Sequence, residues 1–327
     1  MDIRLRSFYN RRVSEPHAAP INATTRYCAV YGCPVKHSAS PAMQNAGMGA
    51  LKLNWRYLAF EVHPDHLRAA IEGAKAMKFI GLNLTVPHKL LALDMVDALD
   101  ESASTWGAVN TIRFEAQDKS GAWRPLAEFT DASPEQIRSH GFNTDADAVT
   151  RSIREDLGIE VARAKILLLG AGGAGRTAAL KLAADGAGEL FLVNRTPGKV
   201  TALADEIGRR FPAVKVTVGY PNANDAVDLM VNATSLGLKA DDLVPLDPNW
   251  FSLRRAGAVF DMIYRPAETP LLKAARAAGC RVSNGLGMLL YQGAKALELW
   301  SGRQPPIEVM REALRNNVYG NGQVRVA

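Results

Sequence analysis

Residues 165–176 read KILLLGAGGAGR, an apolar run entering Gly170, Gly172 and Gly175 at G-x-G-x-x-G spacing and continuing into helix-forming residues. Glycines at these points permit a tight turn, close approach of backbone to a pyrophosphate, and close packing of the next helix on the sheet. The first N–H groups of that helix face the phosphates. Gly-rich turns are common, so the bare pattern says little; strand, glycines and helix in this order specify a dinucleotide site that includes Gly173 and Ala174.

The end of the next strand selects the dinucleotide. After LFLV (190–193), an NAD site would place an Asp or Glu to accept from the ribose 2'-hydroxyl. This chain has Asn194, Arg195 and Thr196, with Lys199 one turn later. Two cations and two neutral hydrogen-bonding groups suit a 2'-phosphate, and the planar Arg195 guanidinium can lie on the adenine. NADP is the expected cofactor; an ordinary solvated turn is the plainer alternative.

The 327 residues suggest about two domains. A net charge of +6 with dispersed basic residues and no stripe of basic and stacking aromatic side chains argues against nucleic acid, and fits anionic small ligands. Cys28, Cys33 and Cys280 are an odd, sparse set that suggests reduced thiols in a cytoplasmic protein. Cys28, Cys33 and His37 lack a fourth partner, so no metal is expected. No 18-residue apolar run and no apolar h-region occur, and neither a membrane span nor a signal peptide is expected. Residues 1–24 read as a loose tail.

Ahead of the glycine loop, strand-like RYCAVYG (26–32), WRYLAFEV (55–62) and GLNLTV (81–86) alternate with helices expected after Pro41, from Pro64 and from Pro87. This β/α alternation predicts βαβ units, a parallel sheet and a separate α/β domain. Helical patterns at 286–302 and about 305–315 have no strand left to accompany them, and are expected to return to the first domain, with a site in the cleft between the two. The resulting division is 25–146 with 285–327 for the substrate and 147–284 for the dinucleotide.

Several residues carry chemistry. Ser38 and Ser40 precede Pro41, a residue favoured at the first helical position, so their hydroxyls lie where a helix start would welcome a carboxylate, or would simply cap it. Lys89 falls in the first turn expected after Pro87, near the positive end of a helix dipole, where a cation is disfavoured and proton transfer is eased. Asp145 is the candidate partner carboxylate; for isolated residues, a surface lysine and a helix cap are the ordinary readings.

GCPVKHSASP (32–41), NLTVPHK (83–89), GAVNT (107–111), GFNTD (141–145), NATSLG (232–237), DMIY (261–264) and NGLGMLLYQGA (284–294), taken with GAGGAGR and NRT, resemble the shikimate dehydrogenase family over about residues 26–303. The resemblance implies an N-terminal α/β catalytic domain, a Rossmann-type NADP domain and reversible NADP-dependent reduction of 3-dehydroshikimate to shikimate in aromatic amino acid biosynthesis. It assigns Lys89 and Asp145 to a proton-transfer dyad. Ser38 and Ser40 go to the substrate carboxylate with Thr85 and Gln292 adding hydrogen bonds, Asn110 to the ring hydroxyls, and Tyr264 to the substrate and nicotinamide. Thr234, Met262 and Gly285 fall on the dinucleotide side. A monomer or homodimer is expected.

Ala146 stands where the family usually has Gly, and Asn284 where an Asp is frequent. The segment between Phe114 and Gly141 is longer than the usual hairpin and reads as a surface elaboration, with a lid or subunit contact as the alternative. A quinate/shikimate dehydrogenase is the nearest alternative function, and a non-catalytic sensor of the same fold the more distant one. Arg195 speaks against the first; the intact Lys89, Asn110 and Asp145 set speaks against the second.

Overall fold

The structure, a computed structural model, describes residues 20–130, 134, 136–239 and 241–320. Of the expected tail, residues 1–19 lie outside the described residues; within 20–24, a turn is held by Asn54 Nδ2, which donates to Thr24 Oγ1 at 3.1 Å. The first half runs β1 (Arg26–Gly32), α1 (Ser40–Ala50), β2 (Trp55–Glu61), α2 (Leu67–Ala76), β3 (Gly81–Leu84), α3 (His88–Leu91), β4 (Ala98–Leu99), α4 (Glu101–Trp106), β5 (Thr111–Gln117), β6 (Trp123–Pro125) and β7 (Ile137–Phe142). The second runs α5 (Asp145–Leu157), β8 (Lys165–Leu169), α6 (Gly173–Ala184), β9 (Glu189–Val193), α7 (Pro197–Arg210), β10 (Lys215–Val218), β11 (Val227–Asn232), β12 (Ala256–Asp261), α8 (Pro270–Ala277) and β13 (Arg281–Asn284). α9 (Leu286–Ser301) and α10 (Ile307–Tyr319) close the chain.

The fold is α/β with two sheets. The second is fully parallel in the order β10-β9-β8-β11-β12-β13. Its inner strands are buried on both faces, which explains why KILLL and ELFLV are continuous apolar runs without alternation. Strand order turns back beside β8, so Gly170 opens at the switch point, where parallel sheets bind ligands.

The first sheet corrects the parallel expectation. Order β2-β1-β3-β5-β7-β4 is parallel for β2-β1-β3, but β5 is antiparallel to β3, to β7 and to β6. Between β5, β6 and β7 no crossover helix is available, and a parallel pair requires one. The longer segment carries the end of β5, the short strand β6 and the start of β7, anchored by buried Leu126 and by Arg26, which donates to the Leu126 carbonyl at 2.9 Å. Residues 131–133 and 135 of that segment lie outside the described residues.

α9 and α10 do return to the first sheet: Leu290, Leu297, Trp300, Met310 and Leu314 share a core with Val30, Met43, Met48 and Tyr57. Trp300 Nε1 donates to the Ile112 carbonyl of β5 at 2.9 Å, fixing α9 across the sheet. Among the described residues no helix is long and apolar enough to cross a membrane.

Glu115 of β5 is buried, with its carboxylate held by Arg113, by Arg138 at 2.8 Å and by His140 at 3.0 Å. Burial alone would raise its pKa; hydrogen bonds from His140, Arg113 and Arg138 outweigh that and bring it from 4.5 to about 2. A depressed carboxylate stabilises the fold above its unfolded pKa and loses that contribution as pH falls towards its folded one. The shift corresponds to about 3 kcal/mol. Glu115→Gln is expected to lower unfolding free energy by about that much at neutral pH. The gap from wild type should close between pH 4.5 and 2; urea melts showing a pH-independent gap would contradict this.

Candidate active site

The antiparallel strands build the site. In register, Asn83 of β3 pairs with Thr111 of β5, and Thr111 with Phe142 of β7. Three loops therefore leave the sheet side by side: Thr85–Lys89 after β3, Asn110 before β5, and Asn143–Asp145 after β7. Lys89 Nζ and Asp145 Oδ2 meet at 2.7 Å, Asp145 buried and Lys89 partly open. The helix expected from Pro87 is a four-residue α3 followed by a 3-10 turn at Ala92–Asp94, so the dipole argument for Lys89 loses its basis. Its ammonium is governed by Asp145 instead.

A cavity of about 220 Å³ joins the halves. Lys89, Asp145, Ser38, Ser40, Thr85 and Gln292 line it from the first sheet and the returning helix α9; Ala174, Met262, Tyr264 and Gly285 line it from the dinucleotide side. Tyr264 crosses between them, its phenol pKa raised by burial. It shares the cavity wall with Ser38 and Ser40.

Two expectations change. Ser40 is the first residue of α1, Ala39 is the N-cap, and that cap makes no side-chain hydrogen bond, so the serines are not caps in the expected sense. Ser38 Oγ accepts weakly from Ser40 N at 3.3 Å, and both serines line the cavity. Asn110 is buried and does not line the cavity; its Oδ1 accepts from Thr144 N at 2.7 Å and its Nδ2 donates to Thr144 Oγ1 at 2.9 Å. In this geometry Asn110 positions the loop that carries Asp145.

Four residues to which the sequence motifs give no role complete a buried network. Tyr57 Oη donates to Asn83 Oδ1 at 2.7 Å, and Asn83 Nδ2 donates to Thr111 Oγ1 at 3.0 Å. Thr111 Oγ1 lies 3.2 Å from Thr144 Oγ1. Tyr57 is thereby linked to Thr144, one residue from Asp145. Asn143 is the effective cap of α5: its Oδ1 accepts from Asp145 N at 3.1 Å and Ala146 N at 3.2 Å, while its Nδ2 donates to Ala108 O. The available signal was an Asn inside the apolar strand GLNL, since a polar group buried there needs partners.

The dinucleotide side has the form the glycine spacing demands. Gly170 has φ +103°, and a Cβ there would lie 2.9 Å from the Ala233 backbone; at Gly175 it would meet Gly170 O at 2.1 Å. At Gly172 and Gly173 a Cβ would meet no protein atom, leaving space before the N–H groups of the 12-residue α6. This fits a pyrophosphate. Asn194 Oδ1 accepts from Ala171 N at 3.1 Å, tying the glycine loop to the NRT turn. Arg195, Thr196 and Lys199 are exposed, and neither cation has an ion-pair partner among the described residues. Thr234 lies against Gly170, its N–H and hydroxyl bonded to Asn232 Oδ1. Asp261, its pKa raised by burial against the pull of its hydrogen bonds, accepts from Asn232, Ile263 and Thr269 and so locks the loops after β11 and β12 together. Among the described residues no group of three His, Cys, Asp or Glu could hold a metal.

Family models match in three parts: the shikimate dehydrogenase substrate binding domain at 30–112, shikimate / quinate 5-dehydrogenase at 152–237, and the shikimate 5'-dehydrogenase C-terminal domain at 285–315. A shikimate dehydrogenase (NADP(+)) of Moorella thermoacetica is 42% identical over 301 residues, 90% of this chain and 94% of the relative. The chain belongs to the shikimate dehydrogenase family. A crystal structure of a shikimate dehydrogenase in complex with NADP+ superposes with TM-score 0.78 at 35% identity, covering 93% of this chain and 99% of that one. The shikimate 5-dehydrogenase of Thermus thermophilus, in complex with NADP(H) and shikimate, gives 0.73 at 35% identity over 89% and 99%.

Replacing Asn143 by Ala strips the acceptor from two N–H groups at the start of α5. It should cost about 1–2 kcal/mol, the scale of a lost helix cap. The urea midpoint should fall with an unchanged m value; a midpoint equal to that of wild type would show that Asn143 does not hold the helix.

Proposed function

We propose that this protein is an NADP-dependent shikimate dehydrogenase, which reversibly reduces 3-dehydroshikimate to shikimate in aromatic amino acid biosynthesis. The observation that carries the reading is a single cavity faced by the Lys89–Asp145 pair from one half and by Ala174 of the glycine loop from the other. A proton donor and a dinucleotide loop must share a space for a carbonyl to receive hydride on carbon and a proton on oxygen.

Bound NADPH supplies the hydride. Lys89 donates the proton to the developing alkoxide in reduction and takes it back in oxidation, and Asp145 holds the ammonium aimed at that oxygen. Ser38 and Ser40 bind the substrate carboxylate away from the reacting carbon, with Thr85 and Gln292 completing its orientation; Tyr264 closes over them. Residues 25–146 and 285–327 hold the substrate and 147–284 the dinucleotide. Asn110 places Thr144 and Asp145 through its bonds to Thr144, and the second proton of its amide is the group available to a ring hydroxyl.

NADP is preferred because Arg195 and Lys199, without ion-pair partners among the described residues, stand at the end of β9, where no carboxylate awaits a 2'-hydroxyl. Charge-assisted bonds of this kind contribute on the order of 1.5–3 kcal/mol each, or about 10- to 150-fold in affinity. Turnover of shikimate and of quinate, each with NADP and NAD and followed by nicotinamide absorbance, tests the assignment. Shikimate with NADP should give the highest kcat/KM, and Arg195→Asp should lower the NADP/NAD ratio by about 10- to 150-fold with KM for shikimate little changed. A wild-type preference for NAD, or a ratio unmoved by the substitution, would overturn it.

A further inference from the structure

Helix α10 is anchored on the first half, with Met310 and Leu314 in the core beside Met43 and Met48 of α1. Its last turn reaches the loop after β12 in the other half. There Tyr319 Oη donates to the Tyr264 carbonyl at 3.0 Å and accepts from Asn284 Nδ2 at 2.8 Å. The other proton of the Asn284 amide goes to the Ala267 carbonyl at 2.8 Å, and its Oδ1 accepts from Leu286 N at 3.0 Å at the start of α9. Arg265 adds a parallel tie, donating to the Asn317 carbonyl of α10 at 3.1 Å.

The direction of these bonds is fixed. A backbone N–H only donates and a carbonyl only accepts, so Leu286 and Ala267 determine which end of the Asn284 amide carries oxygen. With its nitrogen toward Tyr319, the amide supplies one proton and leaves the hydroxyl's own proton for Tyr264 O. A carboxylate at 284 would draw that proton to itself, release the Tyr264 carbonyl and oppose the Ala267 carbonyl. Tyr264 carries the consequence into the cavity, which it lines together with Ser38 and Ser40.

We propose that Tyr319, acting with Asn284, is a positioning residue: a clasp from the C-terminal helix that sets Tyr264 against the Ser38–Ser40 turn and thereby the affinity for the acid substrate. Among the described residues none of the clasp's hydrogen bonds goes to the glycine loop or the NRT turn. The proposal rests on reading the cavity as the shikimate site.

Tyr319→Phe retains the ring and removes only the hydroxyl. It should raise KM for shikimate about 3- to 10-fold, the worth of one net hydrogen bond. kcat and the Kd for NADP should stay within about 2-fold of wild type. Asn284→Asp should act alike, and the double variant should be no worse than the weaker single one, because both changes break one chain of bonds. Hydrogen exchange gives a readout independent of turnover: amides of 262–267 and 38–41 should exchange faster in Tyr319→Phe, with 165–176 unchanged. An unaltered KM with unaltered exchange, or equal losses for shikimate and NADP, would overturn the clasp. If wild type fails to turn over shikimate, the functional reading falls, while exchange at 262–267 and 38–41 still decides the clasp.

Discussion

The register of two antiparallel ladders, Asn83 opposite Thr111 and Thr111 opposite Phe142, is the constraint on which the site depends. A slip of one residue would turn each side chain to the other face. It would also separate the loops that bring Lys89 to Asp145. The polar network from Tyr57 through Asn83 and Thr111 to Thr144 reinforces the register, since any one member displaced would leave a buried donor or acceptor unmet at about 1–3 kcal/mol. Sheet pairing and the geometry of the ion pair are thus one problem with one solution.

The parallel half contributes in a different way. Its loops after β8, β9, β11, β12 and β13 emerge at the carboxyl ends of the strands, so the glycine loop, the NRT turn, Thr234, Tyr264 and Gly285 all face the same side. Contacts across the halves hold that side toward Lys89. Arg176 of α6 donates to Trp106 O at 2.6 Å while bound by both oxygens of Glu206, and Arg210 donates to Thr105 O at 2.7 Å. Helix α9 starts at Leu286, directly after β13 of one half, and places Trp300 of its last turn in the core of the other, carrying Gln292 into the cavity on the way.

What was legible in the sequence follows from locality. β1 coincides with RYCAVYG, and β8 with the apolar run before Gly170, because both are short runs bounded by glycine whose burial is written in composition. The glycine loop was legible because its conformation is demanded locally. The antiparallel turn of β5 and β7 was not, since strand direction depends on which edges meet rather than on any residue within the strand. Ser40 looked like a cap from its place before Pro41, yet Ala39 holds the cap position and Ser40 lines a cavity whose other walls come from residues distant in the chain that no local rule names. Tyr319 was missed for the same reason: the pattern ended near 315, and its partners lie 35 and 55 residues back in the chain.

The central claim is that the sheet register makes Lys89 and Asp145 one proton-transfer unit. A double-mutant cycle with Lys89→Ala and Asp145→Asn, read as kcat/KM for shikimate at saturating NADP, tests it most directly. Each single change should lower the rate constant by about 100-fold or more, the scale of a positioned acid or base. The double variant should lose little beyond the more impaired single one. Losses that multiply, or a Lys89→Ala enzyme with near wild-type kcat, would contradict the account.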